Sequence, residues 1–387
     1  MKVTMGYIFN NIADIYDSLQ DEISRNIFWA RLHADMDLHN PAKTKMTGIL
    51  KLTSLFVETN KGSIVWSDRL SHAIDNNKKI VIYGTRNIGR KVAALMLASQ
   101  INFDCFCARK AERFPDGLMN KPVISPENLI SEPENTFVII AATNVYRAYD
   151  EIFDLLQRNH FPVEQIISYV DTFSIDYSKQ YFEYPELFPK GKAFFDCGCY
   201  DGENSIAFAK WCGNDYSRIF AFEPDPKNYI KCKKELSNAG TRDVTLYACG
   251  LSDCSSTVNF LSDASGGSYV LQDASYRGVI AENELEKNAD KLETVGTVSI
   301  DDVAGDAPVG FIKMDIEGYE MNALRGAKQV IIRDKPLLAI CVYHKPGDVL
   351  EIMDYCKNLV PEYRFWLRQY DADYETVMYA STRALGK

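Results

Sequence analysis

Phe195-Asp196-Cys197-Gly198-Cys199-Tyr200-Asp201-Gly202 reads as a β-strand ending on an acid and a D-x-G-x-x-x-G turn, just ahead of a helical segment. Glycine adopts backbone angles closed to other residues, so such a turn lets the main chain approach a ligand at the carboxyl end of a strand, where doubly wound sheets bind nucleotides. A tight turn with no ligand would use the same glycines. The neighbouring strand ends must therefore decide.

The next apolar run, Phe220-Ala221-Phe222-Glu223-Pro224, carries a carboxylate at its tip. An acid about twenty residues after a glycine turn is placed to accept hydrogen bonds from both hydroxyls of a ribose. Further on, Gly310-Phe-Ile-Lys313-Met-Asp315-Ile-Glu317-Gly318-Tyr-Glu320 gathers four ionisable groups at a strand-to-helix turn, uncommon in a purely structural segment. Lys313 also has a bland reading, pairing with Asp315 or Glu317 and setting their charge. His344 is the only histidine after residue 160 and follows on the end of the strand-like Leu337–Val342, a position from which a side chain can enter the crevice.

Working outward, strand-like segments at Ala193–Cys197, Arg218–Phe222, Val244–Ala248, Gly310–Met314 and Leu337–Val342 alternate with helices. Tyr363–Leu367 and Thr376–Tyr379 follow as a terminal hairpin. This order predicts an α/β sheet over 177–387. Residues 77–176 form a smaller Rossmann-like α/β domain, opening with KIVIYG and an amphipathic helix, and 1–76 show helical periodicity interrupted at Asn40-Pro41. The turn Gly84-Thr-Arg86-Asn-Ile-Gly89 has arginine where a dinucleotide fingerprint needs its middle glycine, and Cys107-Ala108-Arg109-Lys110 lacks the acid that would hold an NAD ribose. With its Pro122-Val123-Ile124-Ser125-Pro126-Glu127 element the segment resembles Rossmann-like accessory domains found beside sugar-modifying transferases, and the resemblance implies either a scaffold or a holder of a nucleotide-sugar, with Arg86 or Arg90 facing phosphate.

A net charge of -10 and a pI near 5.2 argue against nucleic acid, whose phosphates call for a basic face. The amino terminus lacks a signal-like segment and no run is long enough to span a bilayer, so the expectation is a cytoplasmic protein. Ten cysteines are read as reduced and buried. The pairs Cys105/Cys107 and Cys197/Cys199 have no partner set at zinc spacing, and no metal site is assigned.

Together the D-x-G-x-x-x-G turn, the Glu223-Pro224 tip, the K-x-D-x-E-G-x-E block and PLLAICVYHKPGD at 336–348 resemble the FkbM family of methyltransferases over about residues 190–382. The resemblance implies a Rossmann-like seven-stranded class I methyltransferase sheet and S-adenosylmethionine as cofactor. On it, Asp196, Gly198 and Gly202 would bracket the methionine and ribose parts, Glu223 would hold the ribose, and Leu251-Ser252-Asp253 would border the adenine. Asp315, Glu317, His344 and Lys313 are the catalytic candidates.

The expected reaction is O-methylation of a saccharide or other hydroxylated metabolite. Two other classes remain: a nucleotide-sugar or NAD-dependent sugar-modifying enzyme, for which no convincing Tyr-x-x-x-Lys pair is found, and a non-catalytic binding protein on a methyltransferase fold. The long connection Ser262 to Glu293, with Gly266-Gly267, Tyr269, Tyr276 and Arg277, is read as a lid or binding loop. Its aromatic residues, and those of Tyr363–Tyr370, are either substrate contacts or core. Oligomeric state, including a homo-oligomer, stays open.

Overall fold

The computed structural model describes residues 5–38, 46–143, 147–261, 269–270 and 292–386. The Asn40-Pro41 break and most of the 262–293 connection, with Gly266, Gly267, Tyr276, Arg277 and the Tyr269 side chain, lie outside them. The chain divides into two compact units: 1–28 with 178–368 and 375–387, and 29–177 with 369–374.

The first unit is built on seven strands: β1 (Ala193–Cys197), β2 (Ile219–Phe222), β3 (Val244–Tyr247), β4 (Val309–Met314), β5 (Leu337–Cys341), β6 (Arg364–Gln369) and β7 (Thr376–Ser381). Their order in the sheet is β3-β2-β1-β4-β5-β7-β6. The first five strands pair in parallel and β7 runs antiparallel to β5. β1, β2, β4 and β5 are buried along their whole length, which is why they read as unbroken apolar runs and not as alternating ones. Strand order reverses between β1 and β4. In an open α/β sheet a crevice forms at that point, outside the carboxyl ends of the strands.

Aromatic packing holds the helices to this sheet. Phe194 of β1 stacks on Phe208 of helix Glu203–Trp211 with ring centroids 4.1 Å apart, and Phe195 stacks on Phe220 of β2 at 4.6 Å. Tyr363, Phe365 and Trp366 are buried as well, so this run supplies core and not substrate contacts. All ten cysteines are free thiols, eight of them buried.

A second sheet of four strands was not anticipated. Ser256–Leu261 and Leu292–Val298 pair antiparallel, with Gly250–Leu251 and Tyr269–Val270 at the two edges. The flanks of the long connection thus form a ribbon.

The second unit has five parallel strands ordered Val123–Ile124, Cys105–Cys107, Lys79–Tyr83, Thr136–Ile140, Ile166–Ser168. Gly84 and Gly89 bring the first strand and its helix together: a Cβ on Gly89 would stand 2.1 Å from the Gly84 carbonyl oxygen. Arg90 spends its Nε on the Thr85 carbonyl, 3.1 Å away, while Arg86 is exposed.

The amino-terminal helices divide between the units, Met5–Ser18 belonging with the seven-stranded sheet and Thr47–Thr59 and Asp68–Asp75 with the five-stranded one. Helical periodicity shows that a face will be buried but not against which sheet, so the single segment expected over 1–76 could not be resolved from sequence.

Candidate active site

Three strand tips are joined through their backbones at the switch point. The amides of Gly198 and Cys199 donate to the Phe222 carbonyl at 3.2 and 3.0 Å, and the Asp315 amide donates to the Cys197 carbonyl at 3.1 Å. Gly198 has φ 79°, and a Cβ there would lie 2.0 Å from the Asp315 carbonyl oxygen. Only glycine fits, because both the handedness of its backbone and the neighbouring strand forbid a side chain.

Above these tips lies a cavity of about 220 Å³. Gly198, Tyr200, Glu223, Lys313, Asp315 and Glu317 form its polar side. The ribbon forms the apolar side, where buried Val258, Phe260 and Val295 pack with Tyr319. These three side chains share a face because Val258 and Val295 are direct cross-strand partners and residues two apart point the same way.

Glu223, 6% exposed, accepts from the amides of Tyr200 and Asp225 at 3.0 and 2.8 Å. Burial pushes its carboxyl up to about 7 against the lowering effect of those two amides.

Asp196 is placed differently from expectation. It is fully buried behind the turn, taking a hydrogen bond from Ser205 at 2.7 Å and facing Lys313 Nζ at 3.3 Å, and it does not line the cavity. Gly202 does not line it either. It precedes helix Glu203–Trp211 with φ 88°, and a Cβ there would press on Cys232 Sγ at 3.0 Å, so its smallness serves helix packing. In the third segment Cys249, Gly250 and Leu251 line the cavity, whereas Ser252 is buried beside Asp253 and neither reaches it.

Lys313 also pairs otherwise than read. Its ammonium donates to the Gly198 carbonyl at 2.7 Å and meets Asp196, not Glu317. Burial pushes the ammonium down, but the charges of Asp196 and Asp315 outweigh it and hold the lysine above its ordinary range.

Asp315, Glu317 and His344 do come together. His344 Nε2 stands 3.4 Å from Asp315 Oδ1 and 3.8 Å from Glu317 Oε2, and its Nδ1 lies 2.9 Å from Glu320 Oε1. Burial pushes the imidazole down, but Glu320 first, then Glu317 and Asp315, raise it to about 10. The Asp315 carboxyl is pushed up by burial, yet His344 and Lys313 hold it below its usual range. Its Oδ2 accepts from the Tyr181 hydroxyl at 2.6 Å. Glu317 has φ 57° and Gly318 φ 94°, two left-handed residues in succession that turn the chain sharply after β4.

Tyr181, Glu320 and the ribbon residues escaped the sequence reading as site components. Tyr181 sits in an aperiodic stretch, and the ribbon is too short to show a clear alternation. Glu320 was visible as the last acid of the K-x-D-x-E-G-x-E block.

The sheet order with its antiparallel last strand, and the cavity at its switch point, define the class I methyltransferase fold. Residues 196–374 match the family model for the methyltransferase FkbM domain. A curated relative, the 2-O-methyltransferase NoeI of Sinorhizobium fredii, is 26% identical over 148 residues, 36% of this chain. The match spans 59% of that relative's length.

Among solved structures, a methyltransferase FkbM of Methylobacillus flagellatus is similar with TM-score 0.42 and 15% identity, covering 86% of this chain and 98% of that one. An SAH-bound methyltransferase of Podospora anserina is similar with TM-score 0.27 and 13% identity, covering 50% and 72%. Among the described residues no helix is long and apolar enough to cross a membrane.

Proposed function

We propose that the protein transfers a methyl group from S-adenosylmethionine to a hydroxyl of a saccharide or related hydroxylated metabolite. The observation that carries the reading is Glu223, a buried carboxylate at the β2 tip that lines the same cavity as the Gly198 turn, with Asp315 and Glu317 also on its wall. The FkbM match supports methyl transfer, and the O-methyltransferase name of the curated relative supports an oxygen acceptor.

The residues fit the cofactor. Gly198 presents bare backbone to the cavity, Glu223 has the acceptor oxygens a ribose diol needs, and Val258, Phe260 and Val295 offer an apolar wall to a purine ring. The sulfonium supplies an already activated methyl group. What remains for the protein is to align the acceptor oxygen with that carbon, an effect able to supply several kcal/mol.

An alcohol attacks poorly while it keeps its proton, so a group at the cavity wall must draw the proton away. In this reading the carboxylates of Asp315 and Glu317 face the acceptor hydroxyl, and the His344 imidazole beside them holds their orientation. Lys313 and Asp196 position the two turns and touch no reacting atom.

The test is transfer of labelled methyl from S-adenosylmethionine to a panel of mono- and oligosaccharides, polyols and phenols by the full chain. Label in a saccharide hydroxyl supports the reading; label only in an amine, a phenol or no acceptor overturns the acceptor class.

A further inference from the structure

We infer that Asp315, Glu317 and His344 form a binding site for one divalent cation, a site of two carboxylates and one imidazole. One atom from each, Asp315 Oδ1, Glu317 Oε2 and His344 Nε2, converges at the wall of the cavity. Two ligands bonded to a metal at about 2.1 Å and about 90–110° to each other stand about 3.0–3.4 Å apart. The 3.4 Å between Nε2 and Asp315 Oδ1 lies in that range, and the 3.8 Å to Glu317 Oε2 needs only a wider angle or a small side-chain shift.

An acidic cluster alone would not carry this conclusion. The independent observation is the histidine. Its side chain is 3% exposed, and Nε2 makes no hydrogen bond among the described residues. Asp315 Oδ1, the atom it faces, is also buried without a hydrogen-bond donor. Two buried polar atoms aimed at one point are costly unless something there satisfies both.

Glu320 completes the argument. It is 1% exposed, its Oε1 accepts from the Ile316 amide at 2.9 Å, and the same oxygen lies 2.9 Å from His344 Nδ1. A carboxylate held behind the far nitrogen of an imidazole fixes the tautomer that carries its proton on Nδ1, leaving Nε2 as the ligand, which is how metal-binding histidines are commonly supported.

A second group, Asp315, Cys341 and Glu375, shares the aspartate but suits a cation less well. The Glu375 carboxylate is taken by the Gln180 amide at 2.5 Å and the Tyr343 hydroxyl at 3.0 Å, and Cys341 is fully buried.

Mixed oxygen and nitrogen ligation with two negative charges suits Mn²⁺ or a similar divalent ion better than Ca²⁺, which takes oxygen ligands. Three protein ligands leave coordination positions to water or to an acceptor oxygen, and a cation there would lower the acceptor hydroxyl's pKa. That role rests on the methyl-transfer reading. The ligand set does not.

The experiment uses the full chain, freed of metal by chelation, titrated with Mn²⁺ at pH 8 and followed by electron paramagnetic resonance. S-adenosylhomocysteine binding is measured calorimetrically on the same preparation. About one Mn²⁺ per chain is expected. His344→Ala and Asp315→Asn should each weaken it at least tenfold, and Glu320→Gln by about 10- to 100-fold.

Spin-echo spectra of the wild-type complex should show coupling to one imidazole nitrogen, so ligation by histidine is tested even where a variant fails to fold. Mn²⁺ that does not bind, that binds without nitrogen coupling, or that binds His344→Ala and Asp315→Asn as tightly as wild type overturns the site. S-adenosylhomocysteine binding without Mn²⁺ binding removes the ion and leaves the methyltransferase reading. The reverse result removes that reading and keeps the ion.

Discussion

Lys313 Nζ stands 3.3 Å from Asp196 Oδ1, with both side chains sealed from solvent. The pair joins the β4 tip to the strand that carries the glycine turn, and it makes the lysine a structural link more than a reagent. Removing one member of a buried ion pair leaves the other charge uncompensated, at a cost of about 3–5 kcal/mol. Lys313→Met should therefore lower the unfolding free energy by about that much in urea titration. Unchanged stability with lost turnover would instead return Lys313 to the chemistry.

Gly198 marks where the β1 turn meets β4. Gly198→Ala places a methyl group against the Asp315 carbonyl in a left-handed conformation. Backbone strain alone costs about 1–2 kcal/mol, and the contact adds to it. We expect a loss of at least about 2 kcal/mol together with loss of S-adenosylhomocysteine binding, measured by thermal unfolding and calorimetry. Wild-type affinity would show that the turn does not abut the cofactor.

Glu223 should make cofactor affinity depend on pH. Its carboxyl in the folded chain is raised from 4.5 to about 7 by burial, and of the charged groups facing it, Asp225 raises it and Lys313 lowers it. For folding, a raised carboxyl stabilises fully below about 4.5 and loses that contribution as pH rises through about 7. For binding the sign reverses, since ribose hydroxyls donate to the ionised form. Apparent affinity scales with the ionised fraction, so the dissociation constant should be about tenfold weaker at pH 6 than at pH 8. Glu223→Gln should flatten this dependence, and a flat wild-type profile would separate Glu223 from the ribose.

His344 belongs to the acceptor side of the cavity wall. His344→Ala should reduce turnover by about 10²-fold or more while S-adenosylhomocysteine affinity stays within about threefold. Equal losses in both would mean that the imidazole only supports the fold.

Strands β1, β2, β4 and β5 were legible because each is buried along its whole length, which gives continuous apolar runs ending at identifiable polar tips. The observed limits of the strands agree with those read in the sequence to within two residues, and those of Ala193–Cys197 coincide. Glu223, Gly198, Asp315 and Glu317 could be placed on one cavity because strand tips at a switch point converge.

Asp196 could not be placed in this way: lying one strand residue before the turn it points back into the core, toward Ser205 and Lys313, and spacing alone does not say which side of the backbone faces the ligand. Tyr181 lies 134 residues before Asp315, and the ribbon wall depends on pairing across the long connection, so neither left a local signal.

The most direct test of the central claim is calorimetric titration of the full chain with S-adenosylmethionine, S-adenosylhomocysteine and NAD in parallel, with Glu223→Ala beside the wild type. Micromolar binding of the first two by wild type, none of NAD, and loss of binding in a folded Glu223→Ala protein is the predicted result. Binding of NAD alone, or unchanged S-adenosylhomocysteine affinity in Glu223→Ala, would contradict it.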